Sequence, residues 1–143
     1  MTLCAIAYVS QALPAVRVER RLDDIVEDAA RFNRVAGVTG VLLHDGARFL
    51  QYIEGPPDGM DLVYERILQS RSHAEVLELG RGAVPQRHFP YWAMRWLATD
   101  GERLQELAAG DWHDFCHDAL PVRSQPCGLE LLGRMVQPML GGN

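Results

Sequence analysis

The spacing of apolar positions changes several times along the chain, and each change marks an element. Residues 3–10, LCAIAYVS, are mostly apolar on both alternating sets: Leu3, Ala5, Ala7 and Val9 on one, Cys4, Ile6, Tyr8 and Ser10 on the other. Side chains alternate across a strand, so this run predicts a central strand covered on both faces. Over about residues 21–34 the period lengthens, and Leu22, Ile25, Val26, Ala29 and Asn33 share one helical stripe. Gly37 is the better terminator for that helix, although an asparagine near a helix end is often a cap itself. VTGVLLH and RFLQYIE follow as two strands joined at Asp45-Gly46, a strong hairpin signal. Gly55-Pro56-Pro57-Asp58 opens a second helix, because proline is tolerated in a first turn. Its stripe is Met60, Val63, Tyr64, Ile67 and Leu68. Residues 75–81 predict a fourth strand and about 91–98 a fifth, which would put Trp92, Met94 and Trp96 on one face.

The order β-α-β-β-α-β-β is that of a ferredoxin-like α+β sandwich, with two helices on one face of a five-stranded mixed sheet. Past Asp100 the texture changes to short helical pieces. The chain therefore divides into a sandwich, 1–98, and a C-terminal helical extension, 99–143, which either covers the other sheet face or serves as an output surface. Trp112, Phe115, Leu131, Leu132 and Met135 look like exposed apolar residues there, suited to covering the sheet or to oligomerisation.

Composition narrows the class. A chain of 143 residues suits one domain with a sizeable core, and 48% hydrophobic with 23% charged residues is ordinary for a globular protein. A net charge of -5 argues against a nucleic-acid partner. The apolar runs fall short of the roughly 20 residues a bilayer crossing needs. MTLCAIAYVS lacks a basic flank and reads as a strand rather than a signal peptide. Three widely spaced cysteines, Cys4, Cys116 and Cys127, suggest reduced thiols in a cytoplasmic protein.

Familiar catalytic motifs are missing: there is no GxGxxG after a strand, no P-loop, no GxSxG and no CxxC. His113, Cys116 and His117 have a spacing that could hold a metal but no fourth ligand in sight, so no metal site is expected. Glu54 and Asp58 are explained by turn and helix-start roles. What remains is a set of isolated polar groups at apolar positions: Tyr8, Ser10, Asn33 and Gln51. Gln51 stands between Phe49 and Ile53 on one strand face, where an amide without partners costs roughly 1–3 kcal/mol. A buried Tyr8 also fits a plain core tyrosine bonded to a backbone carbonyl. In the expected topology strands one and three are neighbours under helix one, so Tyr8, Gln51 and Asn33 converge. A phenol and two amides do little acid–base work at neutral pH, but they suit the edge of a flat heteroaromatic ligand.

These residues resemble the BLUF family of flavin-binding blue-light sensor domains. The resemblance is carried by Tyr8 and Ser10 as YxS, by Asn33 at the helix end, and by Val38-Thr39-Gly40. It continues through FLQYIEG, Phe49 to Gly55, and through Phe89-Pro90-Tyr91-Trp92-Ala93-Met94, and covers residues 1 to about 98. The resemblance implies a flavin, usually FAD with FMN or riboflavin possible, held between the two helices. It implies Tyr8 as photochemical electron and proton donor and Gln51 as the amide that rearranges, by rotation or tautomerisation. Asn33 would bond the ring's C4 carbonyl and N3 edge, Ser10 would belong to the same site, and Ile25 and Phe32 would wall the ring. Arg66 and His73 match positions near the ribityl and phosphate groups, and Ser70 stands where the family usually has Asp. Trp92 and Met94 match positions that relay the signal, or simply pack. The implied protein is a non-enzymatic sensor that signals to an unidentified downstream protein or through a homo-oligomer, dimer or higher. The alternative is a ferredoxin-like enzyme or small-ligand regulatory domain without flavin, in which Tyr8, Asn33 and Gln51 are ordinary core polar groups.

Overall fold

The computed structural model describes residues 3–12, 19–70, 73–112 and 127–141. β1 (Leu3–Ala12) lies inside a five-stranded sheet ordered β4-β1-β3-β2-β5, with β2 at Thr39–His44, β3 at Arg48–Gly55, β4 at His73–Val84 and β5 at Trp96–Ala98. The β1–β3, β1–β4 and β2–β3 pairs are antiparallel and β2–β5 is parallel, so the sheet is mixed as expected. The β2–β3 turn forms where Asp45-Gly46 predicted it. Asp45 Oδ1 accepts the N–H groups of Ala47 and Arg48 at 2.9 and 2.7 Å, and Gly46 takes φ +100°.

Two cores sandwich the sheet. On one face Ile6, Leu42, Phe49 and Ile53 pack with Val26 and Ala30 of α1 (Glu19–Ala36) and Met60 and Val63 of α2 (Pro57–Gln69). On the other, Ala5, Ala7, Val41, Leu43, Leu50 and Tyr52 pack with Leu104 and Leu107 of α3 (Gly101–Ala108) and Leu129, Leu132 and Val136 of α4 (Gly128–Gly141). Strand alternation thus divides β1 and β3 between the two cores, as the double apolar pattern of residues 3–10 requires. The C-terminal helices cover the second face. Trp112 and Leu132 are buried, and Leu131 and Met135 pack partly buried against that core, so these residues, which look exposed in the sequence, take the covering role that was one of the two expected of them.

α1 ends in a Schellman arrangement: Val38 N–H reaches Asn33 O at 2.9 Å and Gly37 N–H reaches Arg34 O at 3.3 Å, with Gly37 at φ +77°. α2 begins with Pro57 at its first position, as read from the sequence. Leu68 of its expected stripe is 54% exposed, because the stripe has rotated off the sheet by the last turn. β4 is longer than 75–81, and its ladder with β1 shifts register twice, with Glu75 in a left-handed conformation at φ +54°. Cys127 is disulfide-bonded, a correction to the expectation of reduced thiols, while Cys4 is free. The Leu22 side chain, Phe115 and the His113, Cys116 and His117 set lie outside the described residues. No described helix is long and apolar enough to cross a membrane.

Candidate functional site

The strongest convergence of buried polar groups lies between the sheet and α1/α2. Tyr8 and Gln51 are direct partners in the β1–β3 ladder, and the Tyr8 hydroxyl donates to Gln51 Oε1. At its other end the same amide donates through Nε2 to Met94 Sδ at 3.3 Å. All three residues are buried. The amide therefore spans a strong donor and a soft, weak acceptor, which satisfies it without fixing it by charge. Burial, reinforced by Tyr64 nearby, pushes the Tyr8 phenol far above its ordinary value, so the hydroxyl keeps its proton at any physiological pH.

Asn33 is also buried, and its Nδ2 donates to Ala93 O at 2.9 Å. Ser10 and His73 meet each other: Ser10 Oγ lies 2.7 Å from His73 Nδ1, and His73 Nε2 lies 2.8 Å from Ile67 O. A carbonyl can only accept, so Nε2 carries the hydrogen and the Ser10 hydroxyl is set to donate to Nδ1. The His73 ring stands 5.8 Å from that of Tyr8, edge to face. Arg66, on α2, holds its guanidinium 4.9 Å over the Phe32 ring on α1, bridging the two helices, and Ile25 packs partly buried beside the α1/α2 core. The expected residues thus gather on one face as three linked groups, Tyr8–Gln51–Met94, Asn33–Ala93 and Ser10–His73, with Arg66 and Phe32 at the helix surface.

Trp92 departs from expectation. Regular strand starts only at Trp96, and residues 85–95 wind over a turn at Pro90-Tyr91, so the two-residue alternation assumed for 91–98 fails. Trp92 packs against the core beneath α3 and α4, flanked by Tyr91 at 5.7 Å and the Arg95 guanidinium at 5.0 Å, whereas Met94 and Trp96 belong to the core beneath α1 and α2. Trp96 Nε1 donates to Asp23 Oδ1 at 2.7 Å, a tie from β5 to α1 that no spacing foretold.

Sequence reasoning also passed over Glu54. It is no turn residue: it lies within β3, fully buried, and accepts hydrogen bonds from Tyr52, His88 and Phe89. The signal was there, since Glu54 shares a strand face with Leu50 and Tyr52, the same anomaly that singled out Gln51. Among the described residues no cluster of His, Cys, Asp or Glu could hold a metal ion.

Residues 3–95 match the model of the BLUF family, described as sensors of blue-light using FAD. The chain is 36% identical over 90 residues to photoactivated adenylate cyclase subunit beta of Euglena gracilis, an alignment covering 62% of this chain and 10% of that protein. It therefore spans about a tenth of the length of that relative. Among solved structures, BlrB, a BLUF protein in its dark state, superposes with a TM-score of 0.67 at 28% identity over 96% of both chains. Klebsiella pneumoniae BlrP1 with FMN and cyclic diGMP superposes with a TM-score of 0.61 at 33% identity, covering 67% of this chain and 26% of that one. With the family model matched over residues 3–95, well over half of its length, the chain belongs to the BLUF family of flavin-binding blue-light sensors.

Proposed function

We propose that this chain senses blue light through a reorientation of the Gln51 amide that is triggered at Tyr8. The observation that supports this most is the buried run from the Tyr8 hydroxyl through Gln51 to Met94 Sδ. A bound flavin would supply the blue-light absorption and, once excited, the capacity to accept an electron. Tyr8 is suited to give up its electron and proton together, because burial leaves no stable phenolate. Gln51 Oε1 is the acceptor in place for that proton. Exchanging the two ends of the amide, by rotation or tautomerisation, presents a donor to Tyr8 and an acceptor to Met94, so the tyrosine loses its acceptor and the sulfur its donor. In a buried site that exchange is costly enough to hold two distinct states.

The residues present suit a flavin's polar ring edge. The bond to Ala93 uses only Nδ2 of Asn33, leaving Oδ1 to accept from a ring N–H. Ile25 and Phe32 offer apolar walls, and Arg66 stands at the helix surface, where it suits a phosphate. Ser10 and His73 we assign to the rim of the same site, where their mutual bond fixes the imidazole ring and the hydroxyl. We take the flavin to be FAD, the cofactor named in the family's description; FMN and riboflavin are distinguished by extracting the cofactor and separating it by chromatography. We read residues 1–98 as the sensor and 99–143 as its cap and output surface, acting on a partner protein or on self-association in the cytoplasm, with no catalysis by the sensor itself.

The test is an absorption spectrum of the purified protein before and after blue light, with Gln51→Leu and Tyr8→Phe alongside. A flavin band that moves reversibly to the red by roughly ten nanometres in wild type alone, the scale of one altered hydrogen bond in a buried site, supports the reading. Bound flavin without a shift overturns the switch, and absence of flavin after reconstitution overturns the whole assignment.

A further inference from the structure

The segment joining β4 to β5, residues 85–95, passes from one core of the sandwich to the other. Phe89 is buried beneath α3 and α4, its ring 5.4 Å from that of Tyr52, whereas Met94 is buried beneath α1 and α2 against Gln51. The start of the segment is pinned by a fully buried carboxylate. Glu54 Oε1 accepts His88 N–H at 2.9 Å and the Tyr52 hydroxyl at 2.8 Å, and Oε2 accepts Phe89 N–H at 2.7 Å. His88 Nδ1 stands 3.6 Å from the same carboxylate. Beside it the Arg87 guanidinium donates to Gly37 O at 2.6 Å, Thr39 Oγ1 at 2.9 Å and Glu54 O at 3.4 Å, tying the segment to the end of α1 and to β2.

A buried carboxylate is costly unless several donors meet it, and here they do. Two successive backbone N–H groups, one on each oxygen, require a side chain with two acceptors. A glutamine would turn its NH2 against one of those N–H groups. From Phe89 only four residues separate the pinned backbone from Met94, so where the segment starts constrains where the sulfur ends.

We propose that Glu54 is a positioning residue of the light response, acting from the opposite face of the sheet: by pinning His88 and Phe89, it sets Met94 Sδ against Gln51 Nε2. The proposal rests on the reading of Gln51 as the switch. Loss of the pin weakens the bond that favours the dark orientation of the amide, and the lit state then returns more slowly.

Two measurements on the flavin-loaded protein test this. The first is dark, carbon-13 NMR of the methionine methyl groups, with the Met94 signal assigned by its loss in Met94→Leu. Glu54→Gln is expected to shift or broaden that signal while leaving Met60, which packs onto the same sheet face from α2, unchanged; Tyr52→Phe, which removes one bond from the carboxylate but leaves the pin, leaves Met94 in place. An unmoved Met94 signal in Glu54→Gln overturns the proposal. The second is recovery after blue light. Glu54→Gln should slow it about threefold, the worth of one weak hydrogen bond, and should change nothing in a Met94→Leu background. An equal effect in both backgrounds means general loosening and also overturns it. Should Glu54→Gln fail to fold, Arg87→Met releases the same segment without stranding a charge, and it must show the same dependence on Met94. A wild-type protein with no light-induced shift defeats the switch itself, whereas a normal shift with indifferent variants defeats only the role of Glu54.

Discussion

Tyr8 and Gln51 face each other across the β1–β3 ladder, so their hydrogen bond is set by strand register rather than by a loop. Moving either strand by one residue would turn its side chain to the other core. Gln51→Leu keeps the register and the bulk but leaves the Tyr8 hydroxyl buried without its acceptor. It should cost about 1–3 kcal/mol of stability and abolish the light-induced spectral shift. Tyr8→Phe removes the donor instead and should abolish the shift at a smaller stability cost, measured by urea unfolding.

Asn33 holds the Ala93 carbonyl with one end of its amide. Asn33→Ala should therefore lower stability by about 1 kcal/mol and weaken flavin binding about tenfold, since the bond to the segment and the acceptor for the ring edge are lost together. Fluorescence titration of the flavin-depleted protein reads the affinity. Unchanged binding would remove Asn33 from the flavin site.

His44 is nine-tenths buried against Phe49, with ring centroids 4.8 Å apart and Nε2 lacking a hydrogen-bond partner. Burial holds its imidazole below the ordinary 6.5, outweighing the opposite pull of Asp45. The unfolded chain thus takes up the proton first. The contribution to stability is complete above 6.5 and declines as the pH falls from there toward the lowered folded value. Unfolding midpoints should drop as the pH falls through 6.5 and below, and His44→Phe should flatten that decline. A slope that persists in the variant would assign it to other groups.

Gly37 at φ +77° closes α1 and is followed by the strand that carries Leu42 and His44. An added Cβ would also meet Pro56 at 3.4 Å, ordinary contact, so the cost is chiefly conformational. Gly37→Ala should lower stability by about 1–2 kcal/mol. Gly46→Ala, at the exposed hairpin turn with no atom near its Cβ, isolates that conformational penalty from packing.

The sheet and its helices were legible because period and punctuation agree along most of the chain. The apolar alternation on both sets of β1, the Asp45-Gly46 turn, Gly37 and Pro57 all mark what the backbone does there. Tyr8, Asn33 and Gln51 were legible for a related reason, as polar groups at positions whose neighbours are apolar. The rule failed where the backbone is irregular. Trp92 and Met94 have strand-like spacing but sit in a segment without strand geometry, and they enter different cores. Glu54 escaped because a carboxylate near a proline-rich helix start has a ready local explanation, while the backbone N–H groups that it accepts lie more than 30 residues further on. The Ser10–His73 bond joins residues 63 apart, and each looked like an independent ligand.

β4 borders the sheet, and its outer edge would be the natural place for another chain to add a strand. The two register shifts and the left-handed Glu75 bend that edge, while Glu75, Glu78 and Arg81 place exposed charges along it. A copy of the chain cannot lie flat against such a border. The fold is therefore guarded against fibre-like stacking along this border of the sheet.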